Sequence, residues 1–172
     1  MTRGIWVLAL TLLMGVSATV GQAQDKKIEM TAVNYDGLKQ EVLKQRGKVV
    51  LVDFWATFCP PCKKAFPHFI EMQKKYADKG FVVLSVSLDE AATPEKVALA
   101  NTFLRKVDSP FRNLLLDEPQ EVWSKKMGFK SIPCYFVFDR HGKWVRFRAS
   151  DSADGVDYDQ VEKTIVQMLN EK

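Results

Sequence analysis

Short apolar runs alternate along this chain with longer segments of helical periodicity. Residues 49–54 (Val-Val-Leu-Val-Asp-Phe) are almost continuously apolar and β-branched, the pattern of a strand covered on both faces. Residues 81–87 repeat that pattern, and 111–116 and 133–138 supply a third and a fourth run. Over 143–148 the pattern changes to alternation, with Trp144, Arg146 and Arg148 against Val145 and Phe147. This predicts an outer strand entered through the turn Asp139-Arg140-His141-Gly142. Helical segments lie between the runs. One covers 36–46, with Leu38, Val42 and Leu43 inward and Gly47 as its stop. The next covers 60–78, holds Pro67 where a kink is expected, and stops near Gly80. A third starts at Thr93-Pro94-Glu95 and runs to 106. A fourth is capped by Asp117, runs to Met127 and ends at Gly128. The last opens with the capping pair Asp157 and Gln160 and buries Val161, Ile165 and Met168. Strands alternating with helices and closed by a hairpin predict an α/β domain with a mixed β-sheet.

The first 23 residues depart from this pattern. Arg3 is followed by an apolar segment over 5–14, then by small residues leading to Gly21-Gln22-Ala23. That is the form of a secretory signal peptide with cleavage after Ala23. A retained membrane anchor is the alternative, but the apolar run is short for a bilayer span. The expected organisation is a signal over 1–23, a loosely held polar lead-in over 24–35 and one domain over 36–172. An exported, periplasmic or otherwise extracytoplasmic location follows, in an oxidising compartment. At 172 residues the chain suits a single domain with its own core, and a monomer is expected. Apolar residues at 47% and charged residues at 27% argue against wholesale disorder. A net charge of +4, spread along the chain, gives no basic face for nucleic acid.

There are three cysteines, Cys59, Cys62 and Cys134. Structural staples use even numbers of well-separated cysteines, so a C-x-x-C pair with one extra points to reactive or metal chemistry. Cys59-Pro60-Pro61-Cys62 lies between a buried strand and a helix, which puts Cys59 at the helix N-terminus. Free N–H groups and the positive end of the dipole stabilise a thiolate there and make Cys59 the nucleophile. Cys62, one turn in and more buried, is the resolving thiol. Pro60 and Pro61 remove two N–H groups and tune the redox potential. Asp53 interrupts an apolar strand. A buried carboxylate is costly, and burial raises its pKa toward the range of a proton acceptor for Cys62. Pairing with a buried lysine is its structural alternative.

The run Val52-Asp53-Phe54-Trp55-Ala56-Thr57-Phe58-Cys59-Pro60-Pro61-Cys62-Lys63-Lys64 resembles the active-site segment of thioredoxin-like proteins, and most closely the exported TlpA/ResA type. The similarity extends over roughly residues 28–170 and includes a helix and strand inserted between Leu88 and Asp117. The resemblance implies a thioredoxin-like fold and thiol-disulfide exchange with protein substrates, with no cofactor or metal. It also implies an electron-exchange partner in the membrane or the exported space. It matches Ile132-Pro133 to a cis peptide beside the cysteines, where backbone is free to bond an incoming chain. Trp55, Pro60, Pro61, Ile132 and Pro133 are then the substrate-facing residues. Three positions depart from the family. Phe58 replaces a second Trp. Ala65 replaces a Glu that tunes the thiols, leaving proton handling to Asp53. Cys134 stands where Thr is common, either as a small buried hydrophobe or as a modulating third thiol.

Other classes remain open at this point. Cys59, Cys62 and a His or Cys134 could hold copper(I) or zinc, although His68 and His141 are not at ligand spacing. Peroxide reduction by Cys59 is a third reading. Within thiol exchange, reduction is favoured over oxidation, with cytochrome c maturation or general thiol reduction as its setting.

Overall fold

The strand Val49–Trp55 (β2) is the axis of the molecule, and every residue in it is buried. The computed structural model describes residues 28–151, 153 and 155–171, so the expected signal peptide lies outside the described residues. Parallel to β2 runs Phe81–Ser87 (β3), and parallel to that runs Arg112–Leu116 (β4). On the other side, Cys134–Phe138 (β5) is antiparallel to β2, and Trp144–Arg148 (β6) is antiparallel to β5. Thr31–Val33 (β1) completes the sheet, parallel to β4. The order among the described residues is β1-β4-β3-β2-β5-β6, a mixed sheet as the pattern predicts.

Helices cover both faces. Pro60–Tyr76 (α2), Pro94–Lys106 (α3) and Tyr158–Asn170 (α5) enclose one core cluster, with Leu51, Trp55, Phe66, Phe69 and Ile165 at its centre. Tyr35–Leu43 (α1) and Gln120–Met127 (α4) cover a second, around Val52, Phe54, Leu84, Trp123 and Phe136. Each large apolar side chain so buried stabilises the fold by about 1.5–3 kcal/mol. The indole N–H of Trp55 donates to Ser85 Oγ at 2.8 Å, with both residues fully buried. Replacing the hydroxyl strands that N–H, so Ser85→Ala should cost about 1–3 kcal/mol, read as a lower urea midpoint at unchanged m-value.

Several elements differ from expectation, each for a local reason. From Ile28 on, the lead-in is tied to the domain, and Thr31–Val33 joins the sheet. Ile28 is buried in the first cluster, the Met30 N–H donates to Asn101 Oδ1 at 3.0 Å, and β1 pairs with β4. Helix α1 starts one residue early because the Asn34 side chain caps it by accepting from the Gly37 N–H. Leu43 is half exposed at its end, since only Leu38 and Val42 share the inward face at i, i+4. Asp117 caps nothing. Its N–H instead donates to Val33 O, and the following Glu118 precedes a proline, which excludes it from a helix, so α4 begins after Pro119. In α5 the third buried position is Leu169, while Met168 is only half-buried. Helix α2 continues through Pro67 as one element, and a short 3₁₀ turn, Ala77–Lys79, closes it at Gly80 with φ of 84°.

Candidate active site

The turn between β2 and α2 carries the chemistry. Its Cys59 N–H donates to Ala56 O at 3.0 Å, and Cys59 itself is the N-cap of α2. A capping side chain accepts from the second or third helical N–H. Pro60 and Pro61 occupy the first two helical positions and have none, so Cys62 carries the first free N–H of the helix. It donates to Cys59 Sγ at 3.3 Å. The two cysteines are joined in a disulfide with Cα atoms 5.4 Å apart, and the described state is the oxidised one. Cys59 is 5% exposed and Cys62 is fully buried. Beside them Pro60 and Pro61 are exposed, and Phe58 presents 71% of its surface to solvent.

Asp53 lies two residues before Trp55 on β2, so its side chain shares the sheet face of Leu51 and Trp55, under α2. It is fully buried and neither carboxylate oxygen has a hydrogen-bond partner. Burial alone holds its pKa well above the ordinary 3.8. Among the described residues no lysine is paired with it. Ala65, one turn beyond Cys62, is buried in the same cluster and brings no second carboxylate. Cross-strand from Asp53 stands Tyr135, whose hydroxyl is 3.4 Å from that of Tyr158.

Ile132–Pro133 is a cis peptide. Cys134 pairs with Phe54 across β2 and β5, which brings Pro133 to the sheet end where β2 gives way to the cysteine turn. Ile132 packs against both core clusters. Cys134 is a free, fully buried thiol in the second cluster, on the sheet face away from Cys59 and Cys62. Its burial pushes the thiol pKa up to about 12, against the pull of Arg146 and Arg148. Cys59, Cys62, Asp53 and Trp55 thus lie on one side of the sheet and Cys134 on the other. Contrary to expectation, Trp55 does not face substrate: fully buried, with its indole N–H on Ser85, it packs beneath the site.

His68 sits on α2 with Nε2 4.0 Å from Glu162 Oε2, and His141 is exposed in its turn. Among the described residues, no three His, Cys, Asp or Glu side chains are grouped so as to hold a metal ion. One site residue had no signal in the sequence pattern. Asp89, after β3, is 1% exposed and accepts from the Thr57 N–H, the Thr57 hydroxyl and the Ser87 hydroxyl. An aspartate between a strand and a turn reads as ordinary loop chemistry.

Comparison with known proteins agrees with this geometry. The redoxin family profile matches residues 19–164. The thiol-disulfide oxidoreductase ResA of Bacillus cereus is 29% identical over 152 residues, 84% of each chain. ResA of Bacillus anthracis is 30% identical over 151 residues, 83% of each. Among solved structures, one assigned as a thiol:disulfide interchange protein DsbE from Chlorobium tepidum is 34% identical with a TM-score of 0.56, over 75% of this chain and 85% of that one. The thioredoxin domain of a Bacteroides vulgatus thiol-disulfide oxidoreductase is 25% identical with a TM-score of 0.55, over 72% and 84%. The chain belongs to the redoxin family and is a thioredoxin-like thiol-disulfide oxidoreductase of the TlpA/ResA type.

Proposed function

We propose that the protein works as an exported reductase of protein disulfides, with Cys59 attacking, Cys62 resolving and Asp53 receiving the resolving proton. The observation that carries this is the N–H aimed at Cys59 Sγ, with a buried carboxylate that has no hydrogen-bond partner on the sheet face α2 covers. In the reduced enzyme the Cys59 thiolate attacks one sulfur of a substrate disulfide. A Cys59–substrate S–S bond forms, and the leaving thiolate takes a proton. Cys62 then gives its proton to the Asp53 carboxylate and attacks Cys59 Sγ. The Cys59–Cys62 bond closes and the second substrate thiol is released, so the substrate gains two electrons and two protons. A thiol donor in the membrane or the exported space must return them.

The helix start favours the reductase direction. An oxidant needs a strongly stabilised thiolate, because that stabilises its reduced form. Here Pro60 and Pro61 remove the first two helical N–H groups, which leaves the Cys62 N–H to solvate Cys59. Substrates would include mispaired exported proteins or the cysteines of apocytochrome c. They would meet the surface of Phe58, Pro60, Pro61 and the Ile132-Pro133 segment. Export rests on the apolar 5–14 segment and Ala23, with Gln24 the expected first residue of the mature chain.

The test is the reduction potential of the Cys59/Cys62 pair, found by equilibration with dithiothreitol and thiol trapping. A value near or below about −270 mV is expected, and one near about −120 mV would reverse the direction to oxidation.

A further inference from the structure

We infer that Asp89 is a positioning residue for the reaction: it latches the cysteine turn through Thr57 and so keeps Cys59 where the α2 N–H stabilises its thiolate. This rests on Cys59 being the attacking thiol. Residues 56–59 belong to no helix or strand, so their shape depends on what they bond to. The ladder between β2 and β3 ends with the Leu88 N–H donating to Trp55 O at 2.8 Å. From there the turn is held by its own Cys59–Ala56 bond and by Asp89. The Asp89 carboxylate receives the Thr57 N–H at 3.0 Å on Oδ2 and the Thr57 hydroxyl on Oδ1. Ser87 orients it from below, its hydroxyl donating to Oδ2 at 2.8 Å and accepting from the Asp89 N–H at 3.1 Å.

The contrast with Asp53 is instructive. Both carboxylates are buried, but Asp53 has no partner while Asp89 has a full set of donors. Charge-assisted bonds of this kind are about twice as strong as neutral ones. Such a strong hold on Thr57 limits the freedom of a residue two positions from the nucleophile. The thiolate depends on one N–H, since Pro60 and Pro61 offer none, so a small movement of the turn is not compensated by a second donor.

The experiment follows iodoacetamide alkylation of the reduced full chain against pH, with mass spectrometry reporting the modified cysteine. Asp89→Ala should slow Cys59 alkylation on the acidic limb about fivefold, the worth of one capping contact, and move the profile to higher pH. Asp89→Asn keeps an acceptor for the Thr57 N–H and should stay within about twofold of the parent, a fraction of that contact. If Asp89→Ala does not fold, Thr57→Val removes one bond of the latch and should shift the profile in the same direction. Profiles unchanged in the folded Asp89→Ala or Thr57→Val protein would reduce Asp89 to a structural brace. Faster alkylation in both Asp89 variants would replace positioning by simple charge repulsion, and also overturn the inference. Alkylation at Cys62 instead of Cys59 in the parent would overturn the assignment of the nucleophile itself, which is a separate failure.

Discussion

Cys62→Ser is expected to arrest the enzyme as a covalent complex. The attacking sulfur of Cys59 remains on the helix N-cap, so the first exchange proceeds and a Cys59–substrate disulfide forms. The serine hydroxyl cannot displace it. Turnover should fall by at least about a thousandfold, the scale on which losing one member of a catalytic unit disables the whole. A disulfide-bonded peptide mixed with the reduced variant should give a stoichiometric adduct, stable to gel filtration and released by dithiothreitol. Cys59→Ser should give neither adduct nor turnover. The burial of the two residues sets this asymmetry, since only Cys59 retains any exposed surface, beside exposed Phe58, Pro60 and Pro61. An adduct on Cys62 in the Cys59→Ser protein would reverse the two roles.

The redox pair and its setting were legible because each leaves a short-range mark. A two-sided apolar strand, two prolines and a C-x-x-C spacing suffice to put a thiol at a helix start. Asp53 was legible for the opposite reason, as a charge inside a run that has no other. What the pattern could not reveal depended on distant partners. Thr31–Val33 has too few residues to show alternation, and becomes a strand only because β4 offers a free edge. The α4 start turned on the extended backbone before Pro119, which outweighed Asp117 as a cap. Asp89 meets Thr57 across 32 positions of sequence, and no local spacing announces such a bond. The third thiol, Cys134, directly follows the cis proline in sequence but lies across the sheet from the reactive pair. Alternation along β5 decides that, with Tyr135 and Val137 on the first core and Cys134 and Phe136 on the second.

Asp53→Asn should make the protein slower and its stability less dependent on pH. In the folded state burial raises the Asp53 pKa above 3.8, and its oxygens have no partner to offset the cost of charge. Between 3.8 and the folded value, the native chain therefore holds a proton that the unfolded chain has released. Stability contributed by the neutral carboxyl is complete at acid pH and declines as pH rises through that window, by about 1.4 kcal/mol per pH unit. Above the folded pKa the decline stops. Asparagine carries no such proton, so urea unfolding of the oxidised proteins should show the variant gaining on the parent by that slope as pH increases. Parallel stability curves would mean that Asp53 ionises freely in the fold, and the proton-acceptor role would go with its raised pKa. The kinetic half of the prediction uses the same group. Without the carboxylate, Cys62 must lose its proton to solvent, and resolution of a preformed Cys59 mixed disulfide should slow by about a hundredfold near neutral pH. The deficit should shrink as rising pH ionises Cys62 directly. A uniform deficit at every pH would assign Asp53 to packing alone.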